Sequence, residues 1–186
     1  MWPFKKHVHT LKEANLLKGL NDWHSHILPG VDDGIKTMED SLEVLRTYEE
    51  AGVSNLWLTP HVMEDYPNTP ADLQHRFEEL CLAYDGSLSI HLASENMLDS
   101  LYEERLKNND FLPIGKEKKH LLVETSYFNP PMNMEELLEA TMKAGYFPVL
   151  AHPERYRYMD FEHYERLKEM GVLFQVNFVS AVGGYG

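Results

Sequence analysis

NDWHSHILPGVDDG, residues 21–34, sets two histidines two apart, His24 and His26, ahead of a tight turn that carries Pro29, Gly30 and the adjacent acids Asp32 and Asp33. In an extended segment, residues two apart present their side chains on one side, so both imidazoles can share a cation. The chain carries its own contrast: KKHVHT, residues 5–10, repeats the spacing with His7 and His9 in a basic arm that has neither acidic nor apolar support, and reads as solvated surface. The pair at 24 and 26 instead closes an apolar run of strand length. Of the two acids, one reads as a turn residue. Asp33, nine positions after His24, is far enough along to fold back over the same site.

Working outward, apolar runs of strand length recur at residues 20–24, 54–59, 88–92, 121–124, 147–151 and 172–177. Helical patterns separate them. Residues 37–52 have Thr37 as N-cap, a stripe of Leu42, Leu45 and Tyr48, and Gly52 as a stop; residues 69–84 have Thr69 as cap, Pro70 in the first turn and Leu73, Phe77, Leu80 and Tyr84 on one face. Further helices are expected at 133–145 and 160–171, with a shorter one at 99–107. Strands alternating with helices imply βαβ units and a largely parallel sheet.

Periodicity alone fits a doubly wound open sheet as well as a barrel. The polar residues at the strand ends separate the two. His24 and His26, then His61, Glu95, Glu124 and His152 follow five successive runs, always at the carboxyl end. An open sheet would string them along a line on the order of 20 Å long, at ~4.8 Å per strand, whereas a (β/α) barrel brings those ends to one rim. A barrel is therefore expected.

Each candidate carries its own chemistry. In LTPHVM, Pro60 stops the ladder and aims His61 out of it. Glu95 in LASEN and Glu124 in LLVET end apolar strands, and as a pair among histidines they suit a bridging role between divalent ions. AHPERY supplies His152 and, three residues on, Arg155, a planar cation suited to bidentate phosphate recognition. His75 and His163 fall on polar helix faces, and His91 and His120 fall within or at the start of strands; these four read as solvated or structural. Cys81 lies mid-helix and position 87 is Ser87, so the cysteine-plus-arginine loop of thiol phosphatases is excluded.

The bulk numbers set bounds. A length of 186 residues suits one domain, and 43% hydrophobic with 25% charged residues is ordinary globular composition. We expect a basic arm at residues 1–19 and one domain at 20–186. A net charge of −13 argues against nucleic acid as partner, though bound cations can reverse the sign locally. A single cysteine precludes an internal disulfide and points to a reducing compartment. No apolar h-region follows MWPFKK and no run approaches the ~18 residues of a membrane span. A cytoplasmic protein, not embedded in a membrane, is the expectation.

Taken together, DWHSHILPGVDDG, TPHV, LLVET and AHPERY, in this order and spacing, resemble the polymerase-and-histidinol-phosphatase (PHP) superfamily, and within it the bacterial tyrosine phosphatases of capsular and exopolysaccharide operons. The resemblance covers nearly everything from residue 20 to 186. It implies an α/β fold, a PHP-type distorted (β/α)7 TIM-like barrel, with two to three divalent metals on its carboxyl rim; manganese is the expected ion, with iron, zinc or magnesium as alternatives. It also implies His24, His26 and Glu95 at one ion, Glu95, Glu124 and His152 at a second, Asp33 with His61 at a third, and Arg155 binding the substrate phosphate in catalysis. The implied activity is metal-dependent hydrolysis of protein phosphotyrosine, with the tail of a membrane-associated tyrosine kinase of polysaccharide export as partner. The family closes with an Asp-x-His on its last strand. This chain ends at NFVSAVGGYG without one, with six strand-like runs and 186 residues where a barrel commonly takes ~250. We therefore expect a barrel lacking its last strand, with self-association across the open edge. The alternatives are another PHP phosphoesterase, such as a histidinol-phosphate phosphatase, or a catalytically dead metal-binding module.

Overall fold

Helix ends fall where capping chemistry puts them. Residues 15–181 are described by the computed structural model; the His7–His9 pair, most of the basic arm and residues 182–186 lie outside them. Strand β1 (Asn21–Asp22) leads to α1 (Met38–Glu50), whose Thr37 hydroxyl accepts the Asp40 N–H. Strands β2 (Asn55–Leu58) and β3 (His61–Val62) precede α2 (Pro70–Ala83), capped in the same way by Thr69 on Asp72 N–H. Then follow β4 (Ser89–Leu92), β5 (Glu95–Met97), α3 (Tyr102–Asn108), β6 (His120–Glu124), α4 (Met134–Lys143) and β7 (Phe147–Ala151). Helix α5 (Phe161–Met170) is capped by Asp160 and closed by Gly171 at φ +95°, and β8 (Leu173–Gln175) and α6 (Phe178–Ala181) end the described chain. Helix α3 starts at Tyr102 rather than at 99, because the Asp99 carboxylate turns back on Leu101 N–H and on the Arg105 guanidinium.

All named strand pairs are parallel. Two hydrogen-bonded sheets result, in the orders β1-β2-β4 and β3-β5-β6-β7-β8. The sequence signalled six strands; the structure has six passes in chain order, two of them broken. Pro60, without an N–H, interrupts the ladder between β2 and β3, and the step at Ala93-Ser94 separates β4 from β5. Backbone bonds span both breaks, Ala93 N–H to Leu58 O (2.9 Å) and Glu95 N–H to Pro60 O (3.0 Å). The parallel α/β class read from the sequence is therefore the one observed.

Alternation along the strands sorts the side chains. Leu56 and Leu58 bury against Leu45, Leu73 and Leu80 of α1 and α2, while Leu121, Val123 and Leu150 bury against Leu137, Leu138 and Leu167 of α4 and α5. The intervening residues, Trp57 and Leu122 with Ala93 and Ala151, pack together as a separate small cluster. No helix of the described residues is long and apolar enough to cross a membrane.

Candidate metal centre

Backbone pairing aims the His24–His26 segment. Ser25 N–H donates to Thr59 Oγ1 (3.1 Å), Thr59 N–H donates to Ser25 O (2.8 Å), and the Ser25 hydroxyl donates to Trp57 O (2.8 Å). With Ser25 held on one face, its neighbours on either side point to the other. The two Nε2 atoms of His24 and His26 approach to 3.1 Å.

Glu95, the first residue of β5 and fully buried, is the hub. Its Oε2 lies 3.1 Å from His24 Nε2, 3.2 Å from His26 Nε2 and 3.2 Å from His61 Nδ1, and its Oε1 lies 2.9 Å from His152 Nε2. His61 opens β3 and is in register with Glu95 on β5. Glu124, the last residue of β6, brings Oε1 to 2.8 Å from His61 Nδ1 and Oε2 to 3.8 Å from His152 Nε2. His152 follows β7 in the left-handed region, φ +33°, ahead of the 3-10 turn Pro153–Arg155. A non-glycine residue held there is strained, a common cost at functional sites.

These distances are short, yet several do not form hydrogen bonds. His61 Nδ1, Glu95 Oε2 and Glu124 Oε1 are buried without an aligned partner, whereas His152 Nε2 and Glu95 Oε1 are hydrogen-bonded. Lone pairs aimed at common points, rather than at each other's protons, produce this pattern. Donor atoms ~2.1 Å from one divalent ion lie about 3.0–3.4 Å apart in octahedral or tetrahedral geometry. His24 Nε2, His26 Nε2 and Glu95 Oε2, mutually 3.1–3.2 Å apart, fit that spacing. Three groupings can each enclose an ion: His24 with Glu95 and His152; His26 with His61 and Glu95; and His26 with Asp32 and Asp33.

The electrostatics point the same way. Burial opposes charge on His26, but Asp32, hydrogen-bonded at Nδ1, and the Glu95 carboxylate 3.2 Å from Nε2 outweigh it and push the ring up to about 10. His24 and His61 are likewise raised against burial, by Glu95 and by Glu124 with Glu95 respectively. Burial would raise Glu95, yet the imidazoles, His24 foremost, hold it well below the usual carboxylate range. Glu124 goes up, through burial and then the charge of Glu95. The cluster favours positive charge on its imidazoles.

Every histidine and carboxylate singled out from the sequence converges here, Asp33 least closely: it is exposed, with Oδ1 3.5 Å from His61 Nε2. Of the two adjacent acids, Asp32 does more than turn the chain. It is buried, accepts from Gly34 N–H (2.9 Å) and His61 N–H (3.0 Å), and lies 2.8 Å from His26 Nδ1. Gln175 on β8, with Oε1 2.7 Å from His24 Nδ1, has no signal in the sequence, because a neutral side chain in an apolar strand carries no pattern. Arg155 sits at the end of the turn after His152, its guanidinium 4.4 Å from the Tyr127 ring, which meets the His152 ring edge-on at 5.8 Å. His75 and His163 are on exposed helix surfaces, His91 stacks on Trp57, and His120 pairs with Ile114 through its backbone; none joins the cluster.

Parallel strands that deliver four imidazoles and two buried carboxylates to one end define an α/β protein with the donor set of a divalent-metal centre. The chain belongs to the capsular polysaccharide synthesis family CpsB/CapC, whose profile matches residues 20–186. It is 31% identical over 140 residues to the tyrosine-protein phosphatase YwqE of Bacillus subtilis, covering 73% of this chain and 55% of that one. It is 32% identical over 171 residues to the tyrosine-protein phosphatase CpsB of Streptococcus agalactiae, covering 84% and 66%. A solved structure from work on YwqE of Bacillus subtilis and CpsB of Streptococcus pneumoniae, described as metal-dependent tyrosine phosphatases, superposes with a TM-score of 0.76 at 30% identity, covering 90% of this chain and 70% of that one. The chain thus spans between about half and two thirds of the curated relatives named.

Proposed function

We propose that this chain carries the centre of a metal-dependent protein-tyrosine phosphatase that acts in the cytoplasm on a phosphotyrosine-bearing kinase of polysaccharide export, built on six passes of a PHP-type barrel. The observation that carries the reading is the buried carboxylate Glu95 among four imidazoles, its Oε2 within 3.2 Å of three ring nitrogens yet without an aligned hydrogen-bond partner. His24, His26 and Glu95 would hold one ion, Glu95, Glu124 and His152 a second, and His61 with Asp33 a third, manganese being the expected metal. Such ions supply a water acidic enough to ionise near neutral pH and neutralise phosphoryl oxygens.

The chain's own groups do the rest. Asp32 orients the His26 ring through Nδ1, and Arg155, backed by the face of Tyr127, presents a planar donor to the phosphoryl oxygens. A tyrosine leaving group departs as a phenolate of pKa near 10, so it needs little protonation, and no general acid is assigned. No serine or cysteine nucleophile is required, in keeping with Cys81 lying exposed on α2.

The test compares hydrolysis of a phosphotyrosine peptide, a phosphoserine peptide and histidinol phosphate by the manganese-loaded chain, with a chelator control. Metal-dependent turnover favouring phosphotyrosine is expected. Preference for histidinol phosphate would replace the substrate, and metal binding without turnover would leave a binding module.

A further inference from the structure

The two histidines of the His-x-His segment are held by different partners. His26 Nδ1 meets the Asp32 carboxylate at 2.8 Å, whereas His24 Nδ1 meets a neutral amide, Gln175 Oε1, at 2.7 Å. That amide comes from β8, the far end of the strand order. Among the described residues β8 pairs only with β7, and β1 only with β2. Gln175 therefore bridges by side chain an interval that no backbone ladder crosses.

Its orientation is determined by its surroundings. Gln175 Oε1 also accepts the backbone N–H of His152 at 3.3 Å, and a backbone N–H can only donate. The other end, Nε2, donates to Asn177 Oδ1 at 3.0 Å. Asn177 N–H and the Ser180 hydroxyl are in turn tied to Glu154 Oε1, at 3.2 and 2.7 Å, which anchors the chain after β8 to the turn that follows His152. With the amide oxygen facing His24, Nδ1 carries the ring proton and Nε2, which faces Glu95, is left as the lone pair. The same oxygen fixes the backbone of strained His152.

We infer that Gln175 is a positioning residue for the metal centre: it fixes the tautomer and direction of His24 and, through one oxygen, couples His24, which follows β1, to His152, which follows β7. This rests on the metal-centre reading above. It also makes the centre asymmetric, with one ligand of the pair backed by an anion and the other by a neutral dipole.

The experiment measures manganese affinity by competition titration in wild type, Gln175→Met and Gln175→Glu, together with the melting temperature in chelator. In the zinc-loaded proteins, NMR also follows the slowly exchanging Nδ1–H of His24. Loss of an outer partner of a ligating histidine costs 10–100-fold in affinity. Gln175→Met should weaken binding by about that factor and lose the protected Nδ1–H signal. Gln175→Glu, which keeps the acceptor and adds charge, should bind at least as tightly as wild type. Equal affinity in wild type and Gln175→Met overturns the inference, as does a Gln175→Glu variant that loses affinity, which decides the matter even if Gln175→Met fails to fold. A wild-type chain that binds no divalent ion sinks the metal-centre reading itself, a result recognisable because it precedes any variant.

Discussion

Replacing Glu95 by Gln removes one charge and almost no volume, at a carboxylate that touches four imidazoles within 3.2 Å. Because Glu95 takes part in two of the three groupings that can enclose an ion, the loss falls on more than one ion. Even an outer partner of a ligand is worth 10–100-fold in metal affinity, so Glu95→Gln should cost at least about 100-fold. At free manganese of 100 times the wild-type dissociation constant, binding stabilises wild type by ~2.7 kcal/mol; a 100-fold weaker variant retains ~0.4 kcal/mol. For a domain of this size, 1 kcal/mol moves the melting temperature by about 2–4 °C. The expected manganese-induced shift is therefore about 5–11 °C in wild type and under ~2 °C in Glu95→Gln. Differential scanning fluorimetry against a manganese titration, alongside elemental analysis of the purified proteins, measures both. A variant with an undiminished manganese shift would refute Glu95 as the shared ligand.

Arg155→Ala should lower turnover of a phosphotyrosine peptide on the order of 10²-fold while leaving metal content unchanged, because its place lies beside the cluster rather than among its donors; steady-state kinetics with elemental analysis checks it, and co-loss of metal would overturn the division of roles. Asp32→Asn should weaken manganese binding by 10–100-fold in the same titration, since it backs His26. Leu138→Ala, fully buried in the core beneath β6 and β7, should cost about 2–5 kcal/mol in urea unfolding with no direct effect on metal affinity. In chelator, stability should fall with rising pH. The folded-state pKa of His26 is raised to about 10, above an unfolded value of ~6.5, so its contribution is complete below ~6.5 and is lost on the way to about 10. Thermal melts from pH 6 to 10 in chelator test this, and a flat or rising profile would contradict the assignment.

The site was more legible in the sequence than the finer course of the strands. His24, His26, His61, Glu95, Glu124 and His152 could be placed because a parallel α/β fold sends every strand's carboxyl end the same way, so position relative to an apolar run predicts position in space. Thr37, Thr69 and Gly171 marked helix ends because capping is local chemistry. The short strands β3 and β5 were not visible as such: each is two or three residues long and begins with a site residue, His61 or Glu95, so polar composition hides the extended backbone. Helix α3 starts later than its sequence suggests for an opposite reason, a good capping residue, Asp99, whose carboxylate is committed to Arg105. Gln175 and Asp32 show the remaining gap. Residues that orient ligands are selected by a tertiary contact, and neither type nor spacing announces it.

The charge on the chain follows from the same cluster. A protein with a net charge of −13 is a poor partner for a phosphate dianion, and Glu95, Glu124, Asp32 and Asp33 concentrate that negative charge at one end of the strands. The upward push on His24, His26 and His61 shows how strongly the arrangement demands compensating positive charge. Protons meet the demand one charge at a time. Two or three divalent ions would meet it with four to six charges, displace those protons, and turn an acidic pocket into one that attracts an anion. On the proposed function, the acidic residues would permit phosphate binding without touching the substrate, because the cations they would retain, with Arg155 beside them, would set the sign of the field it meets.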